Sequence, residues 1–415
     1  MRRVNTRIRL IDIKVFLLAV LCVCLLSPAA LRTVKTAGIL LIFGFYMILQ
    51  FGHLLHSDAY ERNTICLIIL YIGMILLYTF LGKSDKGGGQ TDIIISLFPY
   101  FMIVSIYKNM NRRHCVFIVT VCIMTIFLTL IQNYALWIRM GNRFSQQWYR
   151  RAGIREVVNT QYVCAIMLFS GILLCMFLYK KNGAERFLYL GLTVLCFLFN
   201  ILVTQRANTL LLSIAMFTLL FLVNGRITRG KIIRYSLFLL AVLVFSVEYQ
   251  PILNWLANVT NSERIQARIN SVNTLITTRN VADVEAGSLT ARLRLIGVSV
   301  NTFWGSIPNF FFGVGDKANN LLVGNHSYFF DEFAKFGIFG GVLSCSIILR
   351  MLKTTKKIIS AEAGDSLNKF ANVMIITVIL RGLSGGVYAP ATSMVLYVFA
   401  PLAFNVLKYD KERLS

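Results

Sequence analysis

The chain has 415 residues, of which 57% are hydrophobic and only 14% are charged, and its formal net charge is +24. Soluble proteins carry roughly a quarter charged residues, so this composition excludes a soluble enzyme. Apolar runs near the length needed to cross a hydrocarbon core about 30 Å thick recur along the chain, without the alternation typical of a membrane β-barrel. The composition therefore predicts an all-α, polytopic protein whose residues 1–415 form one integral membrane domain.

The N-terminal residues 1–12 are basic and precede an apolar stretch. No small-residue cleavage site precedes a soluble domain, so we expect a retained first helix rather than a signal peptide. Twelve membrane spans are predicted, and an even number puts both termini on one side. The spans are 13–31, 37–54, 65–82, 93–107, 116–138, 159–179, 188–204, 208–223, 235–250, 326–349, 371–388 and 391–407.

Basic residues identify the cytoplasmic connections, because short cytoplasmic loops carry an excess of lysine and arginine. With the N-terminus inside, every inner connection except 55–64 is basic in excess. These basic segments are 108–114, 180–186, 224–234, 351–369 and the tail from 408. The pattern predicts that both termini lie in the cytoplasm, so the net positive charge does not indicate nucleic acid.

Two long outer loops remain, 139–158 and 251–325, and both are candidates for function because long loops without a role are uncommon. Their cations are almost all arginines: Arg139, Arg143, Arg150, Arg151, Arg155, Arg264, Arg268, Arg279, Arg292 and Arg294, against a single lysine, Lys317. Guanidinium grips phosphate oxygens with a planar donor fork, which favours a phosphorylated ligand. Contact with anionic lipid headgroups explains any single arginine equally well. Residues 261–280 could form an amphipathic surface helix.

Arg206 lies in a very short turn between two apolar runs, where a charge is costly and usually faces a polar cavity. Snorkelling to the outer headgroups is the alternative. We favour a functional role because an outer arginine runs against the topological bias. His326 is the one histidine of four that is predicted on the outer side, and it can act as a general base near neutral pH.

The stretch from Gly287 to Gly341 contains an ordered set of motifs. Arg292 follows Ser288-Leu-Thr-Ala, Pro308 precedes Gly313-Val-Gly315, and His326-Ser-Tyr-Phe-Phe leads to Gly337 and Gly340-Gly341. This set resembles the signature segment of the O-antigen polymerase/ligase family, comprising Wzy-type polymerases and O-antigen ligases. The turn around Arg206 is similar to the family's serine-arginine turn. Ser327 stands where the family usually has asparagine, and Gln205 where serine is common; the resemblance covers roughly 140–345.

The resemblance implies a GT-C-like polysaccharide polymerase of the bacterial plasma membrane, which transfers glycans from a polyprenyl-pyrophosphate carrier at the outer membrane face. It implies that His326 activates the acceptor hydroxyl, with Arg292 and Arg206 holding the pyrophosphate. Further substrate-binding candidates are Arg150, Arg151, Arg294, Tyr328 and Asp331. Because arginines can stabilise the leaving group, and because the acidic residues Asp283, Glu285 and Asp316 are scattered, we expect no metal and no cofactor. Expected partners are the lipid-linked oligosaccharide, membrane lipid, a flippase and a chain-length regulator.

Alternatives stay open at this point. An O-antigen-type ligase would move finished glycan to a lipid or wall acceptor with the same donor clamp. A flippase for the same lipid belongs to another class, and repeat-related halves would be expected of it. Asp331 and Glu332 fit a helix start, where the macrodipole favours acidic residues, better than a contact with the acceptor or with Arg292. Gly313 and Gly315 fit a tight turn better than a phosphate cradle. All nine cysteines fall in or beside spans, so no disulfide framework is expected.

Overall fold

The computed structural model describes residues 9–54, 58–84, 88–140, 160–180, 183–202, 207–223, 289–317, 321–386 and 389–412. All regular secondary structure in these ranges is helical. The helices are α1 (Leu10–Leu26), α2 (Pro28–Leu54), α3 (Ala59–Phe80), α4 (Gly88–Ile106), α5 (Arg112–Met140), α6 (Thr160–Tyr179), α7 (Ala184–Leu202), α8 (Ala207–Val223), α9 (Leu289–Trp304), α10 (Ile307–Phe312), α11 (Tyr328–Ser384), α12 (Pro390–Ser393) and α13 (Ala400–Glu412). One π-helical stretch, Met394–Phe399, joins α12 to α13.

Six helices in the described ranges are long and apolar enough to cross a membrane. Their apolar segments are Pro28–Gln50, Ala59–Phe80, Arg112–Leu136, Tyr162–Tyr179, Tyr328–Ile359 and Pro390–Leu407. The predicted class, an all-helical multi-pass membrane protein, is therefore confirmed. The predicted span 235–250 and the amphipathic segment 261–280 lie outside the described residues. Each of the other eleven predicted spans overlaps a helix, and the number twelve stays a prediction.

The core of the described bundle is built around its last helical segment. Every residue of the apolar stretch Pro390–Leu407 is buried, as is 83% of Tyr162–Tyr179. Pro390–Leu407 therefore contacts protein on all sides, and Tyr162–Tyr179 does so along most of its length. Aromatic rings join them, with the ring centroids of Phe169 and Phe399 4.6 Å apart. The outer helices instead expose large apolar side chains, as expected for surfaces that face lipid.

α11 comprises 57 residues, and its two ends meet. The backbone N–H of Tyr328 donates to the carbonyl oxygen of Gly385 at 3.2 Å. A straight helix of this length would separate its ends by about 85 Å. The chain therefore reverses direction within α11, which contains both predicted spans 326–349 and 371–388. Gly337, with φ +65°, interrupts this helix between Tyr328 and Ser344, whose hydroxyls are hydrogen-bonded.

α3 defines the two ends of the bundle. Beside its first residue, the carboxylate of Asp58 forms ion pairs with the Nζ atoms of Lys108 and Lys357, each at 3.4 Å. The charge of Lys108, aided by Lys357, lowers the pKa of Asp58 below its usual value. Three connections predicted to be cytoplasmic thus meet at one end.

The other end of α3 meets residues from the second predicted outer loop. The hydroxyl of Tyr78 donates to the carbonyl oxygen of Phe312, and the hydroxyl of Ser84 donates to that of Asp316 at 3.1 Å. Within the loop predicted over 251–325, the structure forms two helices, α9 and α10. We call this end of the bundle the loop end and the Asp58 end the lysine end.

Candidate functional site

The His326 loop, residues 323–327, leads from the loop end of the bundle into α11. Val323, Gly324 and Ser327 are buried, whereas Asn325 and His326 are exposed. Asn325 has φ +57°, and its side-chain amide donates to the carbonyl oxygen of Val323 at 3.4 Å. Asparagine tolerates this left-handed conformation better than most residues. The turn therefore presents His326 at the surface between two buried anchor points.

Asp331, in the first turn of α11, holds both sides of this loop. Its Oδ2 accepts a hydrogen bond from the backbone N–H of Ser327 at 2.9 Å. Its Oδ1 accepts from the hydroxyl of Ser299 on α9 at 2.5 Å, and that Oγ accepts from the backbone N–H of Gly324 at 2.9 Å. All three bonds are buried. They close a ring that joins the His326 loop to α9 and α11, and we call it the Asp331 ring.

Ser327 and Tyr328 attach the same loop to two later parts of α11. The hydroxyl of Ser327 donates to the carbonyl oxygen of Gly382 at 3.4 Å. The hydroxyl of Tyr328 is hydrogen-bonded to that of Ser344 in the buried interior. Tyr328, a predicted substrate-binding residue, is only 8% exposed, so its side chain packs inside the protein in this conformation.

The Gly loop, residues 313–316, follows α10 and lies against α11. The N–H groups of residues 313–315 all donate to carbonyl oxygens. Their acceptors are, in order, Asn309, Ala334 and Lys335, at 2.8, 3.0 and 2.8 Å. The three donors are thus engaged inside the protein, and this arrangement favours the tight-turn interpretation of Gly313-Val-Gly315 over a phosphate cradle.

A glycine pair allows the Gly loop to approach α11 this closely. Gly313 and Gly337 have φ +66° and +65°. A Cβ on Gly313 would lie 2.4 Å from the carbonyl carbon of Lys335, and one on Gly337 would lie 2.3 Å from that of Phe311. Such distances are shorter than any van der Waals contact, so only glycine fits at either position.

Charged side chains beneath the two loops are paired within the protein. The Nζ of Lys335 lies 2.9 Å from Oδ1 of Asp316, and both side chains are largely buried. The hydroxyl of Tyr71 on α3 donates to the buried carboxylate of Glu332 at 2.6 Å. Pairing is what makes such buried charges tolerable. The interpretation of Asp331 and Glu332 as a simple helix-start pair is therefore incomplete, because each contacts another element.

α9 carries two of the predicted arginines to the side of the His326 loop. A Cβ on Gly324 would lie 2.0 Å from the carbonyl oxygen of Leu295, so the α9 backbone touches the loop. Arg292 lies on α9 one helical turn before Leu295, and its side chain is outside the described part of the structure. Arg294 is exposed. The structure therefore brings His326 and the helix of both arginines together.

The remaining predicted site residues, Arg150, Arg151 and Arg206, lie outside the described residues. Sequence reasoning missed Ser299, Lys335 and Tyr71, which the fold brings into this region. One signal for Ser299 existed, since it follows Arg292 by seven residues, two helical turns along one face. Among the described residues, no three His, Cys, Asp or Glu side chains converge to hold a metal ion.

Comparison with known proteins adds no relative: neither a protein-family model nor a curated protein sequence matches this chain.

Proposed function

We propose that this protein is a polysaccharide polymerase of the bacterial plasma membrane. It transfers a growing glycan from its polyprenyl-pyrophosphate carrier to the end of a carrier-linked repeat unit, at the outer face. The products of this class are O-antigens, capsules and exopolysaccharides. Twelve spans in a GT-C-like arrangement, with both termini in the cytoplasm, belong to the same proposal.

The observation that carries the proposal is the fixed presentation of His326. Both sides of its loop are hydrogen-bonded inside the protein, yet the histidine is exposed, beside the helix that bears Arg292 and Arg294. A titratable side chain next to cationic ones supports proton transfer coupled to departure of an anionic group. The contacts that join the end of α3 to the second predicted outer loop support an outer active site.

The proposed step is a displacement at the anomeric carbon of the donor glycan. A hydroxyl oxygen of the acceptor sugar attacks that carbon, and its proton passes to an imidazole nitrogen of His326. The bond from the anomeric carbon to the pyrophosphate oxygen breaks, and its electron pair stays on that oxygen. Arg292 and Arg206 hold the pyrophosphate and stabilise this charge, with Arg150, Arg151 and Arg294 as further contacts.

The first test is polymerisation by purified protein in EDTA. The substrate is the polyprenyl-pyrophosphate-linked oligosaccharide extracted from cells that lack the protein, and the products are sized on a gel. Wild-type protein is expected to give a polymer ladder. His326→Ala and Arg292→Ala should lower its yield by about 100-fold or more, as expected when a general base or a charge-stabilising group is lost.

Matched controls separate chemistry from damage to the protein. His114→Ala and Arg113→Ala remove the same residue types near the lysine end and should leave the ladder unchanged. A full ladder from His326→Ala would refute the assignment of that residue. If wild-type protein leaves the substrate unchanged, addition of a lipid or wall acceptor tests the ligase alternative. Failure of both reactions would favour the flippase.

A further inference from the structure

The Asp331 ring holds the His326 loop on both sides of its exposed histidine. The backbone N–H groups of Gly324 and Ser327 are both bound, the first by Ser299 and the second by Asp331. Only Asn325 and His326 lie between these two anchor points. Asp331 also accepts a hydrogen bond from the backbone of Asn325, so the ring holds the loop immediately before and after His326.

The ring has the character of a positioning device rather than of ordinary packing. Asp331 is 5% exposed and Ser299 is fully buried, and burying a carboxylate costs free energy unless its lone pairs are satisfied. Each carboxylate oxygen accepts a hydrogen bond on one path to the loop. Hydrogen bonds to an ionised acceptor are shorter and stronger than neutral ones, so the loop is held more firmly than an apolar contact would hold it.

We propose that Asp331 and Ser299 are positioning residues that hold His326 against the acceptor hydroxyl. The proposal deepens the polymerase assignment and rests on it. In this role Asp331 touches no substrate, in contrast to the substrate contact expected from the sequence. It acts through the backbone of Ser327 and, by way of Ser299, through that of Gly324.

The hydrogen bonds of the Asp331 ring predict which small substitutions disturb the His326 loop. Asn in place of Asp331 keeps the size of the side chain but offers one acceptor oxygen in place of two, so one path to the loop is lost. Ser299→Ala removes the hydroxyl that links Asp331 to Gly324. Ser299→Thr retains a hydroxyl. Because Asp331 reaches Gly324 through Ser299, we expect Asp331→Asn and Ser299→Ala to loosen the same loop around His326.

The experiment compares these three variants with wild-type protein and with Thr355→Ala, which removes a buried hydroxyl from α11 near the lysine end. Turnover is measured at saturating lipid-linked oligosaccharide extracted from cells that lack the protein. In parallel, the number of polyprenyl pyrophosphate molecules bound per protein is measured. The second quantity counts intact sites, so a merely structural defect would lower it.

Asp331→Asn and Ser299→Ala should lower turnover by about 10- to 100-fold, the loss expected when a reacting group is displaced by about 1 Å. Binding of polyprenyl pyrophosphate should stay at the wild-type stoichiometry, Ser299→Thr should recover most of the turnover, and Thr355→Ala should match wild-type protein. In a His326→Ala background, Asp331→Asn should cause no further loss.

Wild-type turnover in Asp331→Asn would overturn the inference, and so would a loss of turnover matched by an equal loss of binding sites. An equal further loss in the His326→Ala background would also overturn it, because Asp331 would then act independently of His326. These results leave an active wild-type enzyme, so they are distinct from failure of the proposed function, in which wild-type protein itself makes no polymer.

Discussion

Single residues at the loop end are specified by backbone geometry as much as by chemistry. Gly313 and Gly337 face each other with positive φ and with no room for a Cβ. Their contact lets the carbonyls of Ala334 and Lys335 accept hydrogen bonds from the Gly loop. The glycines therefore fix where Asp316 meets Lys335, and the Gly-x-Gly motif serves the position of the loop.

Gly337→Ala is expected to lower the free energy of unfolding by about 2–4 kcal/mol, from the left-handed backbone and from overpacking. Gly73→Ala on α3 is the matched control, because no atom lies within 4 Å of its added Cβ; it should raise stability by about 0.5–1 kcal/mol. Unfolding of the purified proteins in detergent measures both. Wild-type stability of Gly337→Ala would contradict the close approach.

Among the helices, α11 reverses its direction and is not one straight helix. Tyr328 meets Gly385 at the loop end, whereas Lys357 meets Asp58 at the lysine end. The chain therefore passes from Tyr328 to the lysine end at Lys357 and returns to Gly385. Gly337, with φ +65°, also interrupts the helix before the lysine end, so that the hydroxyls of Tyr328 and Ser344 meet. The basic segment 351–369, predicted as a cytoplasmic connection between two spans, contains Lys357 at the lysine end.

Cysteines placed at Ser327 and Gly385 should be joined by a short bifunctional thiol reagent, in a background where the native cysteines are replaced. The backbones at these positions are neighbours in the hairpin, but a straight α11 would hold them about 85 Å apart. Cross-linking is read as an intramolecular mobility shift on a denaturing gel. Cysteines at Ser327 and Thr355 form the control pair, because Thr355 lies near the lysine end beside Lys357, and they should remain unlinked. A cross-link in the control pair alone would contradict the hairpin.

At the scale of the whole molecule, polar contacts between the described helices form one group near each end of the bundle. His114 and Asp12 approach to 2.9 Å near the lysine end, where Asp58 also pairs with Lys108. The loop end instead carries the Asp331 ring and the Gly loop. This division agrees with the predicted sides of every connection involved, although the contacts by themselves do not say which end faces the cytoplasm.

A membrane-impermeant thiol reagent decides the orientation. Lys83→Cys places an exposed thiol at the loop end, and Lys353→Cys places one at the lysine end. In whole cells with a permeabilised outer envelope and an intact plasma membrane, the positive-inside rule predicts labelling of Lys83→Cys alone. Lysis should expose Lys353→Cys to the reagent. Labelling of Lys353→Cys in intact cells would reverse the topology and would exclude an outer active site.

The sequence by itself determined the helical membrane class, because hydrocarbon forces long apolar segments to satisfy their own backbone hydrogen bonds. It also predicted the connections 55–64, 108–114 and 351–369 on one side, and the ion pairs of Asp58 with Lys108 and Lys357 bring these three together. The predicted spans 326–349 and 371–388 followed from hydropathy, and both fall within α11, whose ends meet; that each crosses the membrane stays a prediction.

Only the tertiary structure decided what Asp331, Glu332, Lys335 and the Gly loop do. Their partners Ser299, Tyr71 and Asp316 are distant in sequence or on other helices, and no local pattern encodes such contacts. The same carboxylate fits a helix start, a substrate contact or a loop anchor until its neighbours are known. Those neighbours are set by helix packing. The packing of α11 against α9 buries Asp331 and leaves His326 exposed.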